Sequence, residues 1–240
     1  MSELYIVSTP IGNLEDITYR AVRMLGEVDI IAAEDTRHTR KLLDKYGIRT
    51  PTTSLHSHNE RGKSDSLLQR IEDGQDVALV SDGGTPGISD PGSRLIRAAI
   101  ERDIRVVPLP GACACIAAAS VAGLPTAEFY YAGFCSPKSG RRRRRIESLR
   151  DIEATLVFYE SPHRVLKFLA DAEELLGPRQ SVAARELTKI YEELVRGTLT
   201  ELRERFEQTA PRGEFTILIH GRTDDKADGG SGNTGGDAGA

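Results

Sequence analysis

The sequence predicts a two-domain α/β protein with a mostly parallel sheet in its first half and a mixed sheet in its second. Three observations carry that expectation. Short apolar runs alternate with amphipathic segments through the first 109 residues, the rhythm of strand, crossover helix and parallel strand. Runs such as "VALV" at 77–80 are apolar throughout, as strands buried on both faces require. Beyond residue 125, strands follow one another with fewer helices between them, which suits a mixed sheet.

Taken in order, 4–7, 29–33, 52–55, 77–80 and 105–109 read as strands, and 18–26, 36–46, 59–72 and 93–101 as helices between them. In the third of these helices Leu67, Leu68 and Ile71 share one face, and Gly74 supplies a stop. A small-residue helix is expected within 110–125, between Gly111 and Gly123. Strands then follow at 129–134, 154–160, 181–186, 192–197 and 214–221, with helices at 141–150, 165–176 and 199–206. Pro162 suits a first helical turn. The expected domains are 1–115 and 116–222, followed by a Gly-rich tail at 223–240 with too few apolar residues to fold.

Composition narrows the function classes. A chain of 240 residues with a net charge of −4 has no global basic field, so any nucleic-acid surface must be local. Three cysteines make neither an even disulfide framework nor a CxxC pair, so free thiols and no metal site are expected. The first residues lack a basic, apolar leader, and no stretch reaches the ~20 apolar residues of a membrane span. A soluble cytoplasmic protein is the expectation.

Three loops leave the carboxyl ends of first-half strands: 8–16, "SDGGTPGISDPG" at 81–92, and "PGACA" at 110–114. On a parallel sheet all three share the edge where ligands bind. Gly83, Gly84 and Gly87 permit positive φ and close backbone approach, while Pro86 and Pro91 stiffen the segment. No lysine follows the glycines as a P-loop requires, and GxGxxG is absent. Asp82 and Asp90 would repel a pyrophosphate and attract a cation. S-adenosylmethionine, with a sulfonium and an ammonium, meets that condition, although residue physics alone leaves other small molecules open.

Seven stretches occur in a telling order: "TPIGNLEDIT", "AEDTRHTRKLL", "SDGGTPGISDPG", "PGACACIAAASVAGLPT", "FYESPHR", "ARELTKIYEE" and "GEFTILIHG". Over residues 3–221 the chain resembles the tetrapyrrole-methylase-fold family. "SDGGTPGISDPG", "FYESPHR" and "ARELTK" resemble the branch that methylates ribosomal RNA. That resemblance implies S-adenosylmethionine in a cleft between two α/β domains, a homodimer, and transfer to a cytidine ribose 2′-hydroxyl in the decoding region of 16S rRNA within the 30S subunit. Members of that branch often continue into a C-terminal helical segment, where this chain has its Gly-rich tail.

On the donor side the expected residues are Pro10, Gly12, Asp82, Gly83, Gly84, Thr85, Ala112 and Leu124, with Glu34 and Asp35 nearby. Asp35 reads equally as a helix cap. On the acceptor side Glu160, Arg164, Glu186 and Lys189 are the expected catalytic residues, Lys189 polarising the hydroxyl and Glu186 orienting it. The alternative for these four is an ion-pair network joining the domains. His163 is expected to face solvent or a phosphate. The run "KSGRRRRR" offers Lys138, Arg141, Arg142, Arg143, Arg144 and Arg145 to RNA phosphates, since guanidinium groups bind phosphate through paired hydrogen bonds. Tyr130, Tyr131 and Phe134 stand near that run for base stacking or for the core. Two other readings stand beside this one: C-methylation of a tetrapyrrole ring on the same fold, and a non-catalytic RNA-binding protein of ribosome assembly.

Overall fold

A computed structural model describes residues 2–223 of the chain. In the first half, strands β1 (Leu4–Val7), β2 (Ile30–Ala33), β3 (Thr52–Ser54), β4 (Val77–Val80) and β5 (Val106–Leu109) form a sheet in the order β3-β2-β4-β1-β5. All its pairings are parallel. The connection leaving β1 passes over β4 to reach β2, and the one leaving β4 passes over β1 to reach β5. Right-handed crossovers in opposite directions place their helices on opposite faces.

The core reflects this. Helices α1 (Tyr19–Glu27) and α2 (Thr36–Lys45) bury Ala21, Leu25 and Leu43 against Val7, Ile31, Ala33, Ala78 and Val80. Helices α3 (Glu60–Glu72) and α4 (Ser93–Glu101) bury Leu67, Leu68, Ile71, Leu95 and Ala99 against Leu4, Ile6, Ile30, Ala32, Val77 and Leu79. Neighbouring strand residues therefore serve opposite cores, which is why "VALV" has no polar position. Thr18 caps α1 by accepting the Ala21 amide, and Asp35 caps α2 by accepting the Arg37 amide.

The second sheet contains β6 (Phe129–Phe134), β7 (Thr155–Glu160), β8 (Gln180–Arg185), β9 (Glu193–Thr198) and β10 (Phe215–Ile219), in the order β6-β7-β10-β8-β9. Only the β6–β7 pair of this sheet is parallel. One face carries α6 (Ser139–Glu147), α7 (Val165–Leu176) and α8 (Leu199–Gln208), packed over Leu156, Phe158, Ala183 and Ile217. Phe158 and Phe168 are fully buried there with ring centroids 4.9 Å apart. Burying each such side chain is worth about 2–3 kcal/mol.

The opposite face carries α5 (Ala114–Ala122), which packs Cys115, Ala118, Ala119 and Ala122 against Val157, Val182, Ala184 and Leu218. By packing, α5 belongs to the second sheet, and the expected division at 115/116 falls in its first turn. The helix starts at Ala114 and ends at the expected stop, Gly123, which lies at φ +76. Pro162 lies in the turn before α7 rather than in its first turn, since the cap falls at Arg164. Residues 224–240, most of the expected Gly-rich tail, lie outside the described residues. No described helix is long and apolar enough to cross a membrane.

Candidate active site

The three strand-end loops of the first domain meet. Thr9 and Gly84 exchange both backbone hydrogen bonds at 2.9 Å, tying the loop after β1 to the loop after β4. Thr9 Oγ1 also donates to the Ser81 carbonyl at 3.0 Å, and Ser8 Oγ lies 2.9 Å from Thr85 Oγ1. Thr85 Oγ1 donates in turn to the Ala112 carbonyl at 3.4 Å, which joins the loop after β5. Contact this close excludes side chains: a Cβ on Gly111 would stand 2.8 Å from Ser8 Cβ, and one on Gly83 3.3 Å from the Pro10 carbonyl oxygen. Gly84 sits at φ +90, where an L side chain is strained. Pro10, Gly83, Gly84, Thr85 and Ala112 thus form one polar cradle of mainly backbone groups. Leu124 follows the far end of α5, about 14 Å of helix from Ala112, and packs on the second sheet's core.

Carboxylates border the cradle. Asp82 Oδ1 accepts the Asp35 amide at 3.0 Å, fixing the exit of β2 to the exit of β4. Burial raises the Asp90 carboxyl to about 6, and the neighbouring Glu34 and Asp82 charges add to the effect. Glu34 is raised by burial and by Asp82. Asp35 goes instead to the cap of α2 and to Arg37. A group of carboxylates short of cations attracts a positive ligand, and the donor set fits a sulfonium–ammonium compound better than an anion.

The second domain brings its loop 186–192 against the loop after β1. Thr188 Oγ1 accepts the Asn13 amide at 3.0 Å, and a Cβ on Gly12 would stand 2.5 Å from Lys189 Cγ. Gly12 is therefore a packing position between the domains. Lys189 Nζ donates to Glu186 Oε1 and Glu214 Oε2, both at 2.8 Å. Desolvation works against the lysine's charge, but these two bonds outweigh it and hold the ammonium above its ordinary value. Burial likewise opposes the Glu186 carboxylate, yet Lys189 and the Glu214 amide keep it below its ordinary value. Lys189 and Glu186 are thus a fixed cation and a fixed anion at the domain junction.

Glu160 and Arg164 are elsewhere. Alternation along β7 turns Tyr159 towards α5, while Phe158 and Glu160 face the α6–α7 layer. Glu160, 2% exposed, pairs through Oε2 with Arg164 Nε at 3.2 Å and accepts the Ser161 amide. Burial raises its carboxyl, against the pull of Arg164 and Arg142. Glu160 is thus a buried side chain at the start of α7, and its Oε1 has no hydrogen-bond partner among the described residues. Arg164 remains partly open, its guanidinium 5.8 Å from the Phe134 ring centre. His163 is exposed.

The arginine run divides by helical phase. Arg142 is 4% exposed, four residues before the buried Ile146, and its Nε donates to Asp171 Oδ2 at 2.6 Å. Arg143 bonds Asp171 at 3.0 Å and Glu174 at 2.7 Å. Both fasten α6 to α7, so Arg142 is withdrawn from the expected RNA surface and Arg143 is largely committed. Lys138, Arg141, Arg144 and Arg145 are exposed, Arg145 donating to the Tyr130 hydroxyl at 2.9 Å. Sequence reasoning missed Ser8, Thr188 and Glu214, whose partners are 25 to 175 residues away and leave no local pattern.

A family model described as Tetrapyrrole (Corrin/Porphyrin) Methylases matches residues 3–203. A Synechocystis protein named Ribosomal RNA small subunit methyltransferase I is 50% identical over 224 residues, covering 93% of this chain and 80% of that protein. The Pseudomonas aeruginosa protein of the same name is 48% identical, with coverages of 91% and 78%. Among solved structures, a diphthine synthase superposes with a TM-score of 0.74 at 16% identity, covering 92% of this chain and 91% of its own. Uroporphyrin-III C-methyl transferase from Thermus thermophilus, complexed with S-adenyl homocysteine, gives 0.64 at 20% identity, with coverages of 90% and 97%. At those identities the two structures attest the fold.

Proposed function

The chain belongs to the tetrapyrrole (corrin/porphyrin) methylase family, and from that membership we propose that it is an S-adenosylmethionine-dependent methyltransferase of 16S ribosomal RNA. The acceptor is a cytidine ribose 2′-hydroxyl in the decoding region, presented within the 30S subunit, and the enzyme is a homodimer. The observation that carries this reading is the meeting of three strand-end loops in one carboxylate-bordered cradle, with Lys189 of the second domain fixed beside it. The similarity to proteins named for small-subunit rRNA methylation supports the choice of substrate.

Bound S-adenosylmethionine supplies a methyl group on a positively charged sulfur. Backbone groups of Gly83 and Ala112, beside the close turn at Gly84, would hold the donor, and Glu34, Asp82 and Asp90 would favour its positive charge. Lys189 is held protonated by two carboxylates, so it acts not as a base but as a cation that favours ionisation of the acceptor hydroxyl, whose proton passes to solvent water. Because the cradle and Lys189 are each held by their own hydrogen bonds, they would orient donor and acceptor before reaction, a contribution that can reach on the order of 7–11 kcal/mol. Lys138, Arg141, Arg144, Arg145 and Arg164 meet phosphates, so RNA affinity falls steeply with salt. The competing reading keeps the fold and replaces the acceptor with a tetrapyrrole ring. Tritiated methyl transfer to 30S subunits and to uroporphyrinogen, run in parallel, tests both. Label in the 30S RNA alone is the expected result, and label in the porphyrin alone would end the RNA reading.

A further inference from the structure

The loop 81–92 is tied to its own domain near its start through Thr9 and Thr85 and at its end through Glu60, whose Oε1 accepts the Gly92 amide at 3.1 Å, while the stretch between them reaches the second domain. There Ser89, an exposed non-glycine residue at φ +65, places its Oγ 2.6 Å from the hydroxyl of Tyr131 on β6. The strand is shaped to receive it. Its register with β7 shifts between Tyr131 and Gly133, and Gly133 lies at φ +66. A Cβ at Gly133 would stand 3.0 Å from Ser89 Oγ. A left-handed serine, a strand irregularity and a missing side chain therefore coincide at one contact, and such departures persist only where surrounding contacts hold them.

The contact continues inward. The ring of Tyr131 meets that of Tyr159 edge to face, with centroids 5.1 Å apart. The Tyr159 hydroxyl accepts the Cys115 amide at 2.9 Å, in the first turn of α5 just after the loop 110–113. Burial raises both phenols, so both stay protonated and neutral. Two tyrosines of the second sheet thus touch one loop of the cradle and the helix turn that follows another.

We infer that Tyr131 is a positioning residue: its hydrogen bond to Ser89 anchors the middle of the loop 81–92, between its ties at Thr85 and Gly92, to the second domain and so fixes the donor cradle. The consequence for donor binding rests on the proposed function; the anchor itself does not. Hydrogen exchange on the ligand-free full chain tests the anchor, read at the Ile88 amide, which bonds the Thr85 carbonyl at 3.2 Å. In Tyr131→Phe and in Ser89→Ala this amide should exchange roughly five-fold faster, the opening expected for one hydrogen bond. Amides of β7 and β10 should keep their protection, and the double variant should be no faster than either single one. Unchanged exchange at Ile88, or additive effects in the double variant, would overturn the anchor. Kinetics with S-adenosylmethionine and 30S subunits give the second readout. A several-fold rise in the donor KM with kcat little altered is expected, and a loss of kcat alone would overturn the positioning role. Calorimetry with the unaltered protein keeps the two questions apart. Failure to take up S-adenosylmethionine would refute the donor reading, while the exchange result would still decide the anchor.

Discussion

Replacing Asp90 with asparagine should make the protein more stable at neutral pH and weaken its donor site. Its carboxyl, ordinarily near 3.8, stands at about 6 because of burial and the adjoining Glu34 and Asp82 charges. At about 1.4 kcal/mol per pKa unit the shift corresponds to about 3 kcal/mol. The residue is partly open to water, and screening reduces the contribution to about 1–2 kcal/mol. The folded state holds the proton more tightly than the unfolded chain does. The resulting stabilisation is therefore complete below about pH 4 and lost as pH rises through 6. Above pH 6 the ionised group is a burden, and Asp90→Asn removes it. Thermal unfolding at pH 7.5 should show a gain of roughly 3–6 °C for the variant, and at pH 4 almost none. Calorimetry at pH 7.5 should show weaker binding of S-adenosylmethionine. A lower melting temperature at pH 7.5, or an equal gain at both pH values, would refute the electrostatic reasoning.

Other perturbations separate the parts of the site. Gly12→Ala drives a methyl group into Lys189 and the Leu187 carbonyl; a loss of about 1–3 kcal/mol in denaturant unfolding is expected, together with reduced transferase activity. Gly84→Val strains a residue at φ +90 beside the Ala112 carbonyl, and calorimetry should find donor binding abolished while circular dichroism keeps the native signature. Arg142→Ala strips a buried partner from Asp171 and should cost about 3 kcal/mol of stability. Arg144→Ala should leave the melting temperature unchanged and lower the salt slope of RNA binding by about one.

Much of the fold could be read from local pattern because the first half is built of unambiguous units. Fully apolar strands and amphipathic helices leave few options, and the three glycine-bearing loops had to share one sheet edge once the strands were parallel. Residue roles were less legible. Five consecutive arginines hide the helical phase, although Ile146 and Leu149, four and seven positions after Arg142, mark the buried side. Glu160 shares strand parity with Phe158, a signal available in the sequence once β7 is known to have a helix layer on each face. The pairings Asn13–Thr188 and Ser89–Tyr131 depend on how two domains meet, and nothing within a short window encodes them.

Helix α5 is gripped at both ends by the sheet it covers. Tyr159 takes the Cys115 amide at its start, and Arg196 of β9 donates to the Val121 and Ala122 carbonyls at its close. The last cradle loop therefore leads straight into a rod welded to the acceptor half, without slack between them. A graft exchanging acceptor halves among relatives must carry this rod along, with its seam at Pro110 or Gly111. Cut after residue 122 instead, the transplanted half would leave its own floor behind.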